Sequence, residues 1–141
     1  MEITSNENQN AIKFKGQKLL IAEDNDLNYT LLERMLLHSG LKIIRVKNGK
    51  EAIRVGLKVA DIILMDMQLP LIDGYSAARQ IKRLRPELPI IAQTASAFNE
   101  DKLNCIEAGC NDYLSKPIDK ELLFNSIIRH LKVKIDLEVA L

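Results

Sequence analysis

The stretch Ile62-Ile63-Leu64-Met65-Asp66-Met67-Gln68-Leu69-Pro70 decides the fold. Its first four residues are apolar without interruption, the texture of a strand buried on both faces rather than one with a wet side. Working outward, Leu19-Leu20-Ile21-Ala22, Ile43-Ile44-Arg45-Val46 and Ile90-Ile91-Ala92-Gln93 have related texture, and Asp112-Tyr113-Leu114-Ser115 is a weaker run of the same kind. The segments between them have helical period. Leu27, Leu31 and Met35 fall four residues apart, flanked by Leu32 and Leu36, with Gly40 where a C-terminal cap belongs. Asn48-Gly49 opens a second helix striped by Ala52, Ile53 and Leu57, and a third is expected over about 74–84, ending before Pro86. A fourth starts near Asn99, places Glu100 and Asp101 in its first turn and ends at Gly109; a fifth starts at Asp119 with Leu123, Ile127 and Leu131 on one face. Strands alternating with helices in this way predict a doubly wound α/β domain with a five-stranded parallel sheet.

The bulk properties fit one such domain. The chain has 141 residues, 47% of them hydrophobic and 28% charged, with a formal net charge of +1. Near-neutral charge gives no field that would draw it to nucleic acid or an anionic membrane. No apolar run approaches the roughly 18 residues a membrane span needs, and the polar start of the chain is unlike a secretory signal. Cys105 and Cys110 are the only cysteines and read as reduced thiols. The expectation is a soluble, cytoplasmic protein. Residues 1–16 read as a flexible tail or linker, 17–131 as the domain, and 132–141 as a tail or helix extension.

In a doubly wound sheet, ligands bind beyond the carboxyl ends of the strands. After the first run come Glu23, Asp24, Asn25 and Asp26; the third ends at Asp66; Thr94-Ala95-Ser96 follows the fourth and Lys116-Pro117 the fifth. Lys47-Asn48-Gly49, after the second, reads as a turn. Asp26 reads as a helix cap. Asp24 and Asp66 read differently, because carboxylates on neighbouring strand ends repel unless a cation lies between them or one stays protonated. An oxygen-only set with spare positions suits Mg²⁺, which keeps waters and pairs with phosphate oxygens.

These segments, taken together and in this order, resemble the receiver domain of two-component response regulators over roughly residues 17 to 131. The resemblance rests on Leu20-Ile21-Ala22-Glu23-Asp24-Asn25, on Ile63 to Pro70 with Asp73-Gly74 after it, on Thr94-Ala95, and on Asp112-Tyr113-Leu114-Ser115-Lys116-Pro117. It implies a flavodoxin-like sheet of strand order 2-1-3-4-5 and a set of roles. Asp66 is the phosphoacceptor. Asp24 and Asp66 bind Mg²⁺ directly, Glu23 binds it through water, and the backbone carbonyl of Gln68 completes the protein ligands. Lys116 pairs with Asp66 at rest and with a phosphoryl oxygen afterwards, Thr94 hydrogen-bonds another, and the Lys116–Pro117 bond is cis. Tyr113 is the switch aromatic that turns inward as Thr94 moves, remodelling the surface of the fourth helix, fifth strand and fifth helix. Gln68 and Ser96 flank the path of the hydrolytic water and tune dephosphorylation. The implied donor is a phosphohistidine on a histidine kinase or histidine phosphotransfer domain. The implied protein is a switch that catalyses only its own modification, with room for a phosphorylation-dependent homodimer and no direct contact with nucleic acid or membrane.

Two other classes use similar parts. A haloacid-dehalogenase-type phosphatase needs a second Asp two residues after its nucleophile, where this chain has Gln68, which cannot serve as a general acid. A flavodoxin-like cofactor binder needs a hydroxyl- and glycine-rich phosphate loop after the first strand, where this chain has Glu23, Asp24 and Asp26. Lys132 to Leu141, after the fifth helix, reads as too short for a DNA-binding domain, and no recognition helix is expected. The expected context is a stand-alone receiver or one belonging to a hybrid histidine kinase, the latter suggested by Ala22-Glu23-Asp24-Asn25 with Asn28 and by Thr94-Ala95-Ser96-Ala97-Phe98.

Overall fold

The computed structural model describes residues 13–95 and 98–132. Five strands form one parallel sheet: β1 (Lys18–Ala22), β2 (Lys42–Val46), β3 (Ile62–Asp66), β4 (Ile90–Thr94) and β5 (Asp112–Ser115). Their lateral order is β2-β1-β3-β4-β5. The helices between and after them are α1 (Asp26–Met35), α2 (Gly49–Val59), α3 (Gly74–Leu84), α4 (Asn99–Glu107) and α5 (Lys120–Leu131).

Strand period 2 divides the core into two layers. Leu20, Ala22, Ile63, Met65, Ile90 and Ala92 face α2, α3 and α4, and the small Ala52 of α2 and Ala77 and Ala78 of α3 let those two helices approach closely. Leu19, Ile21, Ile62, Leu64 and Ile91 face the other way, against Leu32 and Leu36 of α1 and Leu123, Phe124 and Ile127 of α5. Every residue of β3 and β4 is buried, which is why Ile62–Met65 and Ile90–Ala92 read as unbroken apolar runs. Most of the helices start on a side-chain cap. Asn25, Asn48, Asp73 and Asp119 accept from the backbone N–H of Asn28, Glu51, Ser76 and Leu122, satisfying donors that the first helical turn leaves free.

Several sequence expectations shift here. The buried face of α1 is not the Leu27–Leu31 row. Leu27 is 69% exposed and Leu31 is also exposed, whereas Leu32 and Leu36 are each 2% exposed. Both rows have helical spacing, and the rotation of the helix is decided by the α5 and sheet residues it packs against. Asp26 does not cap α1: Asn25 does, and the Asp26 carboxylate instead lies 2.8 Å from Arg45 and 3.5 Å from Lys47. Gly40 is not the cap either, since α1 ends at Met35 with Leu36 in that position.

The packed body also starts before residue 17. Phe14 is buried, its N–H donates to the Ser39 carbonyl at 2.7 Å, and its ring centroid lies 6.3 Å from that of Phe124. Gly40, at φ 90°, lets this strap pass, because a Cβ there would strike the Phe14 carbonyl. Residues 1–12 and 133–141, the remainder of the expected tails, lie outside the described residues.

The α1 packing makes a direct prediction. Leu32→Ala should cost about 2–5 kcal/mol of unfolding free energy, the usual loss for a buried leucine. Leu27→Ala should cost less than about 0.5 kcal/mol, as for an exposed site. Urea denaturation followed by circular dichroism distinguishes them, and equal losses would overturn the assignment of the buried face.

Candidate functional site

The site follows from register. β1 and β3 are neighbours with Ala22 opposite Met65, so the next residue on each chain, Glu23 and Asp66, emerges side by side at the carboxyl edge of the sheet. One carboxylate oxygen from each of Glu23, Asp24 and Asp66 lies within 4.8 Å of the others. Glu23 is fully buried, Asp66 nearly so, and Asp24 is open to solvent. Lys116, just past β5, reaches across β4 to place Nζ 2.8 Å from Asp66 Oδ2 and 3.2 Å from Glu23 Oε1. The Lys116–Pro117 peptide is cis. Asp66 Oδ1 accepts from the Gln68 N–H at 2.9 Å, and Glu23 Oε2 accepts from the Asn25 N–H at 3.2 Å.

Three carboxylates against one ammonium leave an excess of negative charge in a partly dry pocket. Burial raises the Glu23 pKa above its ordinary value and the Asp66 charge adds to the rise, with Lys116 opposing it. For Lys116, burial favours the neutral amine, but hydrogen bonding and attraction to Asp66, together with the Glu23 charge, outweigh it and the net shift is upward. Glu23 Oε1 is within ion-pair distance of Lys116 yet off the direction of a hydrogen bond, so among the described residues this buried acceptor is unsatisfied. A cluster of hard oxygens, one member solvent-facing and one holding an unsatisfied lone pair, fits a divalent cation of the Mg²⁺ type.

The other expected residues are placed around this cluster. Thr94 ends β4 opposite Ser115, is buried, and accepts from the Lys116 N–H at its carbonyl at 2.8 Å. Gln68 is exposed in the loop after β3. Tyr113 lies opposite Ala92, half-buried, with Lys102 Nζ 5.2 Å from its ring centroid. Ser96 lies outside the described residues.

Two supports were not foreseen from the sequence. Gly74 packs on the loop that follows Asp66: its N–H donates to the Met67 carbonyl at 3.0 Å, and a Cβ there would collide with the Asp66 carbonyl and lie 2.6 Å from Met67 Cα. Arg45, in β2, holds the loop after β1. Its Nε and Nη2 lie 3.1 and 3.0 Å from the Glu23 carbonyl oxygen, and its guanidinium sits 4.4 Å above the Tyr29 ring centroid. Its hydrogen bond to Asp26, with the Lys47 charge, lowers the Asp26 pKa. The signal was a charged residue within an otherwise apolar strand run.

A parallel, doubly wound sheet with an acidic cluster and a lysine at its carboxyl edge defines a class of domain, and comparison with known proteins gives the family. The chain belongs to the response regulator receiver domain family, whose model matches residues 19–128. It is a receiver domain of two-component phosphorelay signalling. Hybrid signal transduction histidine kinase H of Dictyostelium discoideum is 41% identical over 113 residues, which is 75% of this chain and 8% of that protein. Transcription factor SKN7 of Saccharomyces cerevisiae is 33% identical over 96% of this chain and 22% of its own length. The chain thus spans a small part of the curated relatives it matches. Among solved structures, the receiver domain of sensor histidine kinase PA1611 from Pseudomonas aeruginosa PAO1, which has a magnesium ion coordinated in its active site cleft, is 41% identical. It superposes with a TM-score of 0.77 over 84% of this chain and 99% of that one. The receiver domain of Saccharomyces cerevisiae Ssk1, co-crystallised with the histidine phosphotransfer protein Ypd1, gives 31% identity and a TM-score of 0.78 over 91% and 99%.

The glycine contact is testable. Gly74→Ala should destabilise the domain by about 1–3 kcal/mol, the range for overpacking, and should move the amide resonances of Met67 and Gln68 in a heteronuclear NMR spectrum. Unchanged stability and shifts would mean that the loop after Asp66 does not depend on this approach.

Proposed function

We propose that this domain accepts a phosphoryl group from a phosphohistidine onto the carboxylate of Asp66, in a site that holds Mg²⁺, and converts the modification into a change of surface. The observation that carries this reading is the 2.8 Å contact between Lys116 Nζ and Asp66 Oδ2 inside a cluster of three carboxylates. Asp24, Asp66 and the Gln68 carbonyl would hold the cation directly, and Glu23 through water. When bound, the cation supplies positive charge that offsets the acidic pocket toward an incoming phosphoryl group.

The residues then do the following. An Asp66 oxygen attacks phosphorus in line with the leaving imidazole nitrogen; the new P–O bond forms as the P–N bond breaks. Charge spread over the three equatorial oxygens is stabilised by position, with little covalent chemistry for the protein to supply. Lys116 passes from the Asp66 carboxylate to a phosphoryl oxygen, and the Thr94 hydroxyl donates to another. Movement of Thr94 is coupled to the half-buried Tyr113, which alters the α4–β5–α5 surface. Hydrolysis needs water opposite the Asp66 oxygen, and Gln68 and Ser96 tune that approach. The domain acts as a switch without turnover of a separate substrate.

The proposed donor is a histidine kinase or histidine phosphotransfer domain. The reading draws support from the Ssk1–Ypd1 pair and from exposed apolar side chains near the same edge of the sheet, Leu27, Leu71 and Phe98. The hybrid kinases among its relatives favour a place in such a sensor. Among the described residues, no helix is long and apolar enough to cross a membrane.

Incubation with Mg²⁺ and a small phospho-donor should add one acid-stable, base-labile phosphoryl group to the wild type and none to Asp66→Asn, read by intact mass. An adduct retained by Asp66→Asn would sink the assignment. Metal binding is checked separately by thermal melting. Mg²⁺ at a hundredfold excess over its Kd should stabilise the wild type by about 2.7 kcal/mol, with less than half that effect on Asp24→Asn. Equal shifts would remove Asp24 from the ligand set.

A further inference from the structure

We infer that Arg45 is a positioning residue of the proposed cation site, clamping the β1–α1 loop to β2 through the backbone carbonyl of Glu23 so that Glu23 and Asp24 are presented in a fixed geometry. The inference rests on the cation reading given above.

Four contacts converge on one guanidinium. Nε and Nη2 both donate to the Glu23 carbonyl oxygen, at 3.1 and 3.0 Å. Nη2 also lies 2.8 Å from Asp26 Oδ1, and the guanidinium is stacked over Tyr29 at 4.4 Å. The Arg45 side chain is only 18% exposed, so this arrangement is embedded in the domain rather than laid across its surface. The planar fork suits the task in a way an ammonium does not, because two N–H groups meet one oxygen while the flat face rests on a ring.

The consequence for the site is direct. Glu23 directly follows β1 and its carboxylate belongs to the acidic cluster; Asp24 is the next residue and is open to solvent. With three like charges together, the free loop would open to separate them. Arg45 opposes that opening at the one backbone oxygen between the two carboxylate-bearing side chains. It also draws the Asp26 carboxylate toward β2, helped by Lys47. The acids of this loop are thereby divided into two that face the cluster and one that does not.

Charge and position predict opposite signs, which makes the inference testable. Loss of a nearby positive charge should tighten cation binding on Coulombic grounds. Loss of a clamp on ligand-bearing backbone should weaken it, by about 10-fold by analogy with other outer supports of metal ligands. Isothermal titration of the full chain with MgCl₂ at fixed ionic strength should therefore show a Kd about 10-fold higher for Arg45→Met than for wild type. Arg45→Lys, which keeps the charge but lacks the fork, should also bind more weakly than wild type, and it carries the test if Arg45→Met does not fold. Asp26→Asn, which leaves the bonds to the Glu23 carbonyl in place, should stay within about twofold of wild type.

Amide hydrogen exchange on the metal-free proteins is the second readout. Exchange across residues 23–28 should quicken in Arg45→Met and Arg45→Lys, while that of Met67 and Gln68 stays as in wild type. Binding by both Arg45 variants as tight as or tighter than wild type, with unchanged loop exchange, would overturn the inference. A loss in Asp26→Asn as large as in Arg45→Met would overturn it too, since the ion pair would then be the agent. A wild type that binds no Mg²⁺ defeats the cation reading instead, and the exchange comparison still decides whether the clamp exists.

Discussion

Parallel pairing of β1 with β3 sets Glu23 beside Asp66, and the rest of the site answers the repulsion this creates. In water two carboxylates at such a distance would turn apart. Here neither can, because Asp66 is the last residue of the fully buried β3 and Glu23 directly follows the buried run Leu19–Ala22 of β1. Lys116 is the internal response, and it arrives from a strand two places away in the sheet. One ammonium does not balance three acids, so the pocket retains an affinity for added positive charge. A domain organised for packing alone would have placed apolar residues here, since buried ion clusters seldom contribute net stability.

The supports of the site come from outside it. Arg45 anchors the backbone on one side, and Gly74 allows α3 to press against the loop after Asp66 on the other. Both act on main-chain atoms, which suits a pocket whose side chains are already committed to one another. The edge of the sheet opposite the site is closed differently. Asp112 at the start of β5 accepts from Ser126 at 2.6 Å and lies 3.2 Å from Arg129, both on α5, so that helix is tied to the strand whose far end leads to Lys116.

The receiver domains of the sensor kinase PA1611 and of Ssk1 superpose on this frame with TM-scores of 0.77 and 0.78. The exposed Leu27 and Leu31 of α1 lie outside the core, on the face of the helix turned from the sheet.

By itself the sequence determined the number and order of elements, the helix starts at Asn48 and Asp119, and the residues at strand ends. Local patterns carry that information: an unbroken apolar run has no wet face, and an Asn or Asp just ahead of a helical stripe offers an oxygen to the free N–H groups of the first turn. It also determined that Asp24, Asp66, Thr94 and Lys116 would gather at one edge, because every strand of a parallel sheet delivers its carboxyl end to the same side. Only the tertiary structure decided which of two leucine rows on α1 is buried, that Asn25 rather than Asp26 caps it, and that Phe14 joins the core. It alone decided that Arg45 reaches the Glu23 carbonyl from the neighbouring strand. Those outcomes depend on neighbours distant in sequence, whose shapes set helix rotation and whose charges choose among equally spaced partners, and no local period encodes them.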